Sequence, residues 1–254
     1  MKIVAFNGSP RARNSNTDKL LLPLLEGARA AGAAADEFYL EELDVRPCKG
    51  CFTCWTRTPG RCVQTDDMQG VLKELIAAQA VVWAFPLYCY GVPARMQALQ
   101  ERIIPIVMPH MREADKVHVH PSRYPGRRQR WVVLSNCGFP EQAHFDAVIS
   151  KFRLLAGAGG DVELVEPIVM AAGELLPAME ANAGAQQALA VLQDELRAAG
   201  RELGESGTIC ADTVRRLSRP LTERLGMSAK AYARAANAHF DAALRQAGHE
   251  TGSA

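Results

Sequence analysis

Residues 1–17 read MKIVAFNGSPRARNSNT, and this segment is the strongest indication of the fold class. The apolar run at residues 2–6 predicts a short buried strand, because the turn-forming residues 7–10 follow it at once. Leucines recur among alanines over residues 16–31 and predict a helix there. Pro23 lies inside that pattern, so we expect a kink or a late helix start. A buried strand, a polar loop and a helix together form the repeating unit of an α/β sheet.

The loop of this unit has the chemistry of a phosphate site. Its small residues let backbone N–H groups approach a ligand closely, and Ser9, Ser15 and Thr17 offer hydroxyl donors. The helix N-terminus adds a partial positive charge, and Arg11 or Arg13 adds a full one. The segment matches neither G-x-G-x-x-G nor G-x-x-x-x-G-K-[ST], which disfavours dinucleotides and nucleoside triphosphates. A solvated strand-to-helix loop remains the alternative.

The next two-thirds of the chain repeat the same alternation of strands and helices. Apolar runs predict further strands at residues 37–40, 80–85, 131–135 and 162–165. Helical spacing predicts helices over the residues that follow Asp66 and Asp67, over residues 94–104 and over residues 145–155. The two aspartates are interpreted as helix caps and not as metal ligands. This order predicts a doubly wound, open parallel sheet, in which ligands bind beyond the carboxyl ends of the strands.

Residues 105–130 show no sustained period and predict a long excursion from the sheet. Within it, His118 and His120 could share one face of a strand and bind a metal, although such pairs are usually ordinary residues. A basic patch could attract a nicotinamide phosphate or an acidic partner, but a solvated loop is the favoured interpretation. The patch consists of Arg123, Arg127, Arg128 and Arg130.

The C-terminal quarter is rich in Ala, Glu, Arg and Leu, and helices are predicted over residues 186–203 and 228–246. We therefore expect a domain at residues 1–180, with residues 181–254 as a helical C-terminal extension of the same domain.

A cysteine cluster is the sharpest feature of the chain. The spacing is C-x2-C-x2-C-x7-C, formed by Cys48, Cys51, Cys54 and Cys62. Four thiolates suit a [4Fe–4S] cluster or zinc, and three cysteines at x2 spacing favour iron–sulfur. Reduced thiols in a loop that closes over a ligand remain an alternative.

Bulk composition excludes several function classes. The 29 basic and 28 acidic residues argue against a general nucleic-acid binder, and 6% aromatic residues are too few for a base-stacking platform. No apolar run approaches the roughly 20 residues that span a bilayer, and the first is too short for a signal-peptide core. We expect a cytoplasmic protein with reduced thiols, no membrane and no nucleic-acid partner.

The segment GSPRARNSNT resembles the FMN-phosphate loop of the NAD(P)H-dependent FMN reductase family, which has the flavodoxin-like fold. The family pattern G-S-x-R-x-x-S-x-[ST] is matched at Gly8, Ser9, Arg11, Ser15 and Thr17. By this resemblance, the phosphate contacts come from Ser9, Arg11, Ser15, Asn16 and Thr17.

Two later segments resemble the flavin loops of the same family. The string PLYCYGVP is similar to P-x-Y-x-x-x-x-P, which implies that the isoalloxazine and ribityl chain lie along Pro86, Leu87, Tyr88, Cys89, Tyr90 and Gly91. The string CGFPE is similar to a loop at the pyrimidine edge of the flavin, which implies a role for Cys137, Gly138 and Phe139. One crevice at the strand ends would explain all three segments.

The cysteine run also resembles the compact motif of iron–sulfur flavoproteins, whose last spacing is usually shorter. These resemblances imply an FMN-dependent oxidoreductase that transfers electrons between NAD(P)H or a reduced carrier and an acceptor, with or without a [4Fe–4S] cluster. They also imply a homodimer or homotetramer. A cluster-free NAD(P)H-dependent flavin or quinone reductase and a zinc-thiolate binding or sensing module remain the alternatives. No residue is assigned as a general acid or base.

Overall fold

The computed structural model describes residues 1–114, 117–157 and 161–249. In these ranges the strands are β1 (Lys2–Asn7), β2 (Ala34–Tyr39), β3 (Ala80–Pro86), β4 (Arg112–Ala114), β5 (Val117–Val119), β6 (Gln129–Asn136), β7 (Val162–Leu164) and β8 (Ile168–Met170). The α-helices are α1 (Asn16–Ala30), α2 (Thr53–Thr56), α3 (Met68–Ala77), α4 (Ala94–Glu101), α5 (Asp146–Gly157), α6 (Leu176–Ala181), α7 (Ala183–Ser206), α8 (Ala211–Leu217), α9 (Leu221–Arg224) and α10 (Ala229–Gln246).

The central sheet is parallel and has the strand order β2-β1-β3-β6-β7. Strand β8 also pairs in parallel with β6, beyond the end of β7. The order reverses between β1 and β3, which creates the crevice that open α/β sheets use for ligands. The predicted doubly wound, flavodoxin-like architecture with a helical C-terminal region is confirmed.

Both faces of the sheet are covered, because successive side chains of each strand point to opposite sides. Ile3 and Ala5 of β1 belong to a core that includes α1 and α7. Val4 and Phe6 belong to the other core, which includes α3, α4 and α5. The strands are therefore apolar on both faces, as the continuous runs in the sequence predict.

Most helices and strands of the sheet domain lie where the sequence predicts them, with a few differences. Helix α1 begins at Asn16 and continues across the buried Pro23, so a late start is wrong. Strand β2 begins at Ala34 and not at residue 37. The strand predicted at residues 162–165 is β7, and β8 was missed because Pro167 separates two very short runs.

The excursion at residues 105–130 contains a hairpin that the sequence did not predict. Strands β4 and β5 pair in antiparallel fashion, with Arg112 opposite Val119. Residues 115–116 lie outside the described residues. Three-residue strands give too few positions for a period to be recognised.

The interpretation of Asp66 and Asp67 as helix caps needs correction. Asp66 accepts a hydrogen bond from Met68 N, but its carboxylate mainly pairs with the guanidinium of Arg102, at 2.7 and 2.9 Å. Both side chains are almost wholly buried. Burial alone would raise the pKa of Asp66, but hydrogen bonds from Arg102 and from Arg46 N lower it. Asp67 makes no side-chain cap and accepts a hydrogen bond from Asp44 N at 2.8 Å.

Helix α7 packs on α1 at very short range. A Cβ atom at Gly200 would overlap the carbonyl oxygen of Leu24, and one at Gly27 would overlap that of Arg197. Only glycine on both helices permits this approach. The division at residues 180 and 181 stays a proposal, but α7 is packed against the sheet domain and shares its core.

In the part of the chain that the structure describes, no helix combines the length and the apolar composition that crossing a membrane requires.

We predict that Gly200→Ala destabilises the protein by about 2–3 kcal/mol, because the added methyl group must push α7 away from α1. Urea unfolding followed by circular dichroism measures the change. The matched control is Gly70→Ala in α3, where a Cβ atom meets nothing within 4 Å. It should leave stability unchanged or raise it by up to about 1 kcal/mol. Equal unfolding midpoints for Gly200→Ala and wild type would contradict the close packing of α1 and α7.

Candidate functional site

The loop between β1 and α1 lies directly against the sheet. Gly8 N donates to the carbonyl of Ala84 at 2.8 Å. A Cβ atom at Gly8 would lie 3.0 Å from Met96 Cε, so Gly8 packs closely against α4. Ser9 Oγ accepts a hydrogen bond from Arg11 N at 3.3 Å. The backbone at this point is therefore fixed close to the strand ends.

The buried carboxylate of Asp18 holds the same loop. It accepts hydrogen bonds from Asn7 Nδ2 at 3.3 Å, Asn14 N at 3.0 Å and Tyr39 Oη at 2.7 Å. Asn14 has a left-handed backbone, with φ of 63°. Burial and the Asp18 carboxylate raise the pKa of Tyr39, so its hydroxyl remains a donor. One side chain thus joins β1, the loop and β2.

The N-terminus of α1 faces the same edge of the sheet. Ser15 caps the helix, and its Oγ accepts a hydrogen bond from Asp18 N at 3.1 Å. The side-chain nitrogen of Asn16 is buried and has no hydrogen-bond partner among the described residues. A buried donor without an acceptor is costly. An anion at this helix N-terminus would satisfy it and would also suit the helix dipole.

The two arginines of the loop differ in their surroundings. Arg13 donates to Glu42 at 3.0 and 3.1 Å and lies over the ring of Tyr39, 4.2 Å from its centroid. Arg11 is exposed, and its guanidinium forms a loose ion pair with Glu174, at 3.7 Å. Arg11 is therefore the guanidinium that remains available to a ligand.

The loop after β3 is a tight turn. Tyr88 and Gly91 exchange two backbone hydrogen bonds, of 3.0 and 2.8 Å. Between them Cys89 and Tyr90 have φ angles of 49° and 59°, as a type I′ turn requires. Tyr88 and Tyr90 are half exposed, so the turn presents two aromatic side chains at the edge of the sheet.

The loop after β6 is held by the chain that follows β8. Cys137 N donates to the carbonyl of Met170 at 3.1 Å, and the carbonyl of Cys137 accepts from Gly173 N at 2.7 Å. Ala172 N donates to the carbonyl of Phe139 at 2.7 Å. Burial raises the pKa of the Cys137 thiol, which is therefore neutral.

Asn136, the last residue of β6, connects all three loops. Its Nδ2 donates to Thr17 Oγ1 at 2.8 Å, and its carbonyl accepts from Leu87 N at 2.7 Å. A Cβ atom at Gly173 would lie 3.0 Å from Asn136 Cβ. Asn136 was not predicted as a site residue. The feature of the sequence that could have indicated it is its position at the end of a predicted strand.

A second missed feature is a row of rings beside the loops. The imidazole of His144 stacks on Phe139 with centroids 4.3 Å apart, and on Tyr90 with centroids 5.8 Å apart. Its Nε2 lies 3.3 Å from Glu141 Oε2. Phe139 is half exposed. The row joins the loop after β3 to the loop after β6.

The C-terminal helix also reaches this site. Tyr232 of α10 donates from its hydroxyl to the carbonyl of Gly138 at 2.6 Å. Burial, with the nearby Glu174 and Cys137, raises the pKa of Tyr232, so the hydroxyl stays protonated. The sequence placed Tyr232 in a trailing helix and gave no signal for this contact.

The structure thus places the three predicted loops at one edge of the sheet. The ligand contacts of their residues stay predictions. The phosphate set is Ser9, Arg11, Ser15, Asn16 and Thr17, and the flavin set is Pro86, Leu87, Tyr88, Cys89, Tyr90, Gly91, Cys137, Gly138 and Phe139.

The four predicted metal ligands line one small pocket. They are Cys48, Cys51, Cys54 and Cys62. Burial and the neighbouring cysteines, Cys62 first, raise the pKa of Cys54. Hydrogen bonding with Thr53 lowers the pKa of the exposed Cys51. The four thiols are therefore near enough to influence one another electrostatically.

The frame of this cysteine loop is well fixed. Trp55 Nε1 donates to the carbonyl of Ile104 at 3.2 Å, and its ring packs against that of His120 at a tilt of 49°, with centroids 4.8 Å apart. Arg102 donates to the carbonyl of Arg46 at 2.6 Å. Burial would lower the pKa of Arg102, but Asp66 and Cys62 raise it, so a permanent cation lies beside one of the thiols.

Within the described residues, no group of three or more His, Cys, Asp or Glu side chains is arranged to hold a single metal ion. The pair His118 and His120 accordingly forms no such group there. Thiols around a four-iron cluster each bind a different iron atom, so they lie farther apart than thiols around one ion. The pocket that the four cysteines share is compatible with the wider spacing of thiols around a four-iron cluster.

Part of the chain is similar in sequence to known proteins. Residues 1–126 match the NADPH-dependent FMN reductase family. The chain is 35% identical over 104 residues to an iron–sulfur flavoprotein of Methanosarcina thermophila, an alignment that covers 41% of this chain and 53% of the relative. It is 32% identical over 105 residues to one of Archaeoglobus fulgidus, covering 41% and 46%. The chain thus spans about half the length of the curated relatives it matches.

Solved structures share the fold. An FMN-dependent NADH-azoreductase of Bacillus anthracis superposes with a TM-score of 0.57 at 15% identity, over 80% of this chain and 99% of that one. An NAD(P)H:quinone oxidoreductase of Methanothermobacter marburgensis superposes with a TM-score of 0.57 at 15% identity, over 80% and 96%. These structures show the fold of the chain, and the match to the NADPH-dependent FMN reductase family extends over residues 1–126.

Proposed function

We propose that this protein is an FMN-dependent oxidoreductase that transfers electrons between NAD(P)H or a reduced carrier and an acceptor. The observation that carries the proposal is the buried side-chain nitrogen of Asn16 at the N-terminus of α1, which has no hydrogen-bond partner in the part of the chain that the structure describes. Ser15 caps the same helix, and the exposed Arg11 belongs to the loop that precedes it. The donor set fits a phosphate monoester, and the family match points to that of FMN.

The chain's own residues would bind and orient the cofactor. Asn16, Ser9 and Arg11 would hold the phosphate, while the fixed backbone of residues 86–91 would hold the ring beside Tyr88. The third loop would close the other edge, braced by Tyr232. The chemistry supplied by bound FMN is the transfer of a hydride or of single electrons. The row Tyr90–His144–Phe139 would limit what can approach the ring.

We further propose that Cys48, Cys51, Cys54 and Cys62 hold a [4Fe–4S] cluster. The shared pocket supports this, as do the names of the curated relatives. The Arg102 cation beside Cys62 would compensate the negative charge of four thiolates. A cluster would exchange single electrons with FMN. The cluster-free flavin or quinone reductase is the second candidate, favoured by the fold neighbour that reduces quinones.

Assembly into a homodimer or homotetramer remains a proposal. Helix α10 supports this proposal. Phe240 and Leu244 are exposed apolar side chains on this helix, and Tyr232 is its buried residue.

The phosphate site predicts a difference between FMN and riboflavin. Asn16→Ala should weaken FMN binding by about 10- to 100-fold, because a hydrogen bond to a charged group is lost. Riboflavin binding by the same variant should stay unchanged. Titration of the apoprotein, followed by quenching of flavin fluorescence, measures both affinities. The control Asn237→Ala, on the exposed side of α10, should bind FMN as wild type does. No FMN binding by wild type would refute the proposed function, and equal losses for both flavins would refute the phosphate assignment.

The cluster proposal predicts about four irons and four sulfides per chain in protein purified without oxygen. Cys54→Ser should lose the iron and its broad visible absorbance and should keep FMN. Cys210→Ser is the matched control, because Cys210 is exposed and caps α8, outside the cysteine pocket. FMN without iron in wild type would establish the cluster-free alternative. Zinc without a visible band would favour the thiolate module.

The Tyr232 hydrogen bond predicts a modest effect from the C-terminal helix. Tyr232→Phe should weaken FMN binding by roughly 3- to 10-fold, because a net contribution of about 1 kcal/mol to the geometry of the Gly138 loop is lost. The raised pKa of Tyr232 implies that wild-type affinity stays constant between pH 7 and 9. Fluorescence titration across that range checks both statements. An unchanged affinity in the variant would show that the loop is held without this bond.

A further inference from the structure

A second cavity lies on the opposite edge of the sheet from the loops described above. It has a volume of about 320 Å³ and is bounded by the end of α4, the excursion that follows it, the start of β6 and the end of α5. Its wall includes Trp131, whereas the flavin loops begin after Asn136, five residues further along β6. At the rise of a β-strand this separation is about 16 Å. The cavity is therefore distinct from the proposed flavin site.

Most of the wall is apolar. The apolar side chains are Ile103, Ile104, Ile106, Val107, Val119, Trp131, Leu155 and Val162. Protein interiors are normally close-packed, and an apolar space of this size costs stability when nothing fills it. Cavities of roughly 300 Å³ and above are in the range that binds small molecules.

Two polar side chains in the same wall have buried atoms without a hydrogen-bond partner among the described residues. Gln100 is more than nine-tenths buried, and neither its Oε1 nor its Nε2 has a hydrogen-bond partner among the described residues. Arg127 donates through Nη2 to the carbonyl of Leu75, but its buried Nε has no partner there. Buried polar groups in native proteins are almost always paired, so each of these atoms calls for a partner.

The charged side chains of the cavity wall are Arg127 and Asp161, and the wall also contains His118 and His120. Burial lowers the pKa of Arg127, while the nearby Tyr124 and Asp161 act against that shift. An anionic group on a ligand would supply an acceptor for the buried Nε of Arg127.

We propose that this cavity binds a small aromatic or alicyclic carboxylate, with its rings against the apolar wall and its carboxylate on Arg127 and Gln100. The volume suits roughly two fused rings. Nothing in this proposal depends on FMN or on the cysteine pocket, although Ile104 lies in the walls of both the cavity and that pocket.

Isothermal titration calorimetry of the purified full chain with 2-naphthoate tests the proposal. We expect one site per chain with a Kd on the order of 10–100 µM, and weaker binding of 2-naphthalenemethanol, which has the same rings without the charge. Arg127→Gln should weaken naphthoate binding at least tenfold and leave the alcohol unchanged. The alcohol thereby reports whether the cavity is intact in that variant.

Adjacent leucines of α5 provide a matched pair. Leu155 lies in the cavity wall, whereas Leu154 is 77% exposed. Leu155→Trp should fill the cavity and abolish binding of both probes, and Leu154→Trp should bind as wild type does. No binding by wild type at millimolar naphthoate would overturn the proposal, as would binding that survives Leu155→Trp. Equal loss of both probes in Arg127→Gln, or no loss of either, would overturn the role of the carboxylate.

Discussion

The amide and the carbonyl of Asn136 are the interaction on which the candidate site depends. Three loops that are far apart in the chain meet at this residue, through its bonds to Thr17 and Leu87 and its packing against Gly173. The parallel register makes this possible, since Asn7 lies beside Ala84 and Asn136 lies beside Pro86. A crevice of defined width therefore forms where the strand order reverses.

Two buried carboxylates fix the neighbouring loops to the rest of the domain. Asp18 joins the first loop to β1 and β2, and Asp66 joins the cysteine loop to the end of α4 through Arg102. A buried ion pair is difficult to alter one residue at a time, because the remaining charge loses its compensation. The shape of the cysteine loop is thus maintained by residues other than the four cysteines.

The sequence predicted the architecture well because its main signals are local. Continuous apolar runs such as residues 80–85 and the periodic leucines of α1 depend only on near neighbours. Strands β4 and β5 were missed because their sequences, REA and VHV, form no apolar run, and β8 was missed because Pro167 separates it from the run that predicts β7. Asn136, His144 and Tyr232 were missed for a different reason. Asn136 contacts Thr17, His144 contacts Tyr90 and Tyr232 contacts Gly138, and each of these pairs is distant in sequence. Asp66 was read from its position before a helix, whereas its partner Arg102 lies 36 residues later.

The hydrogen bond from Tyr232 to Gly138 also bears on how such proteins diverge. Both residues lie beyond residues 1–126, which carry the family match, yet they shape one wall of the crevice. The first half of the chain can therefore stay constant while substitutions in a peripheral helix adjust the surroundings of the ligand. Two proteins with identical N-terminal halves could in this way differ in the shape of this crevice.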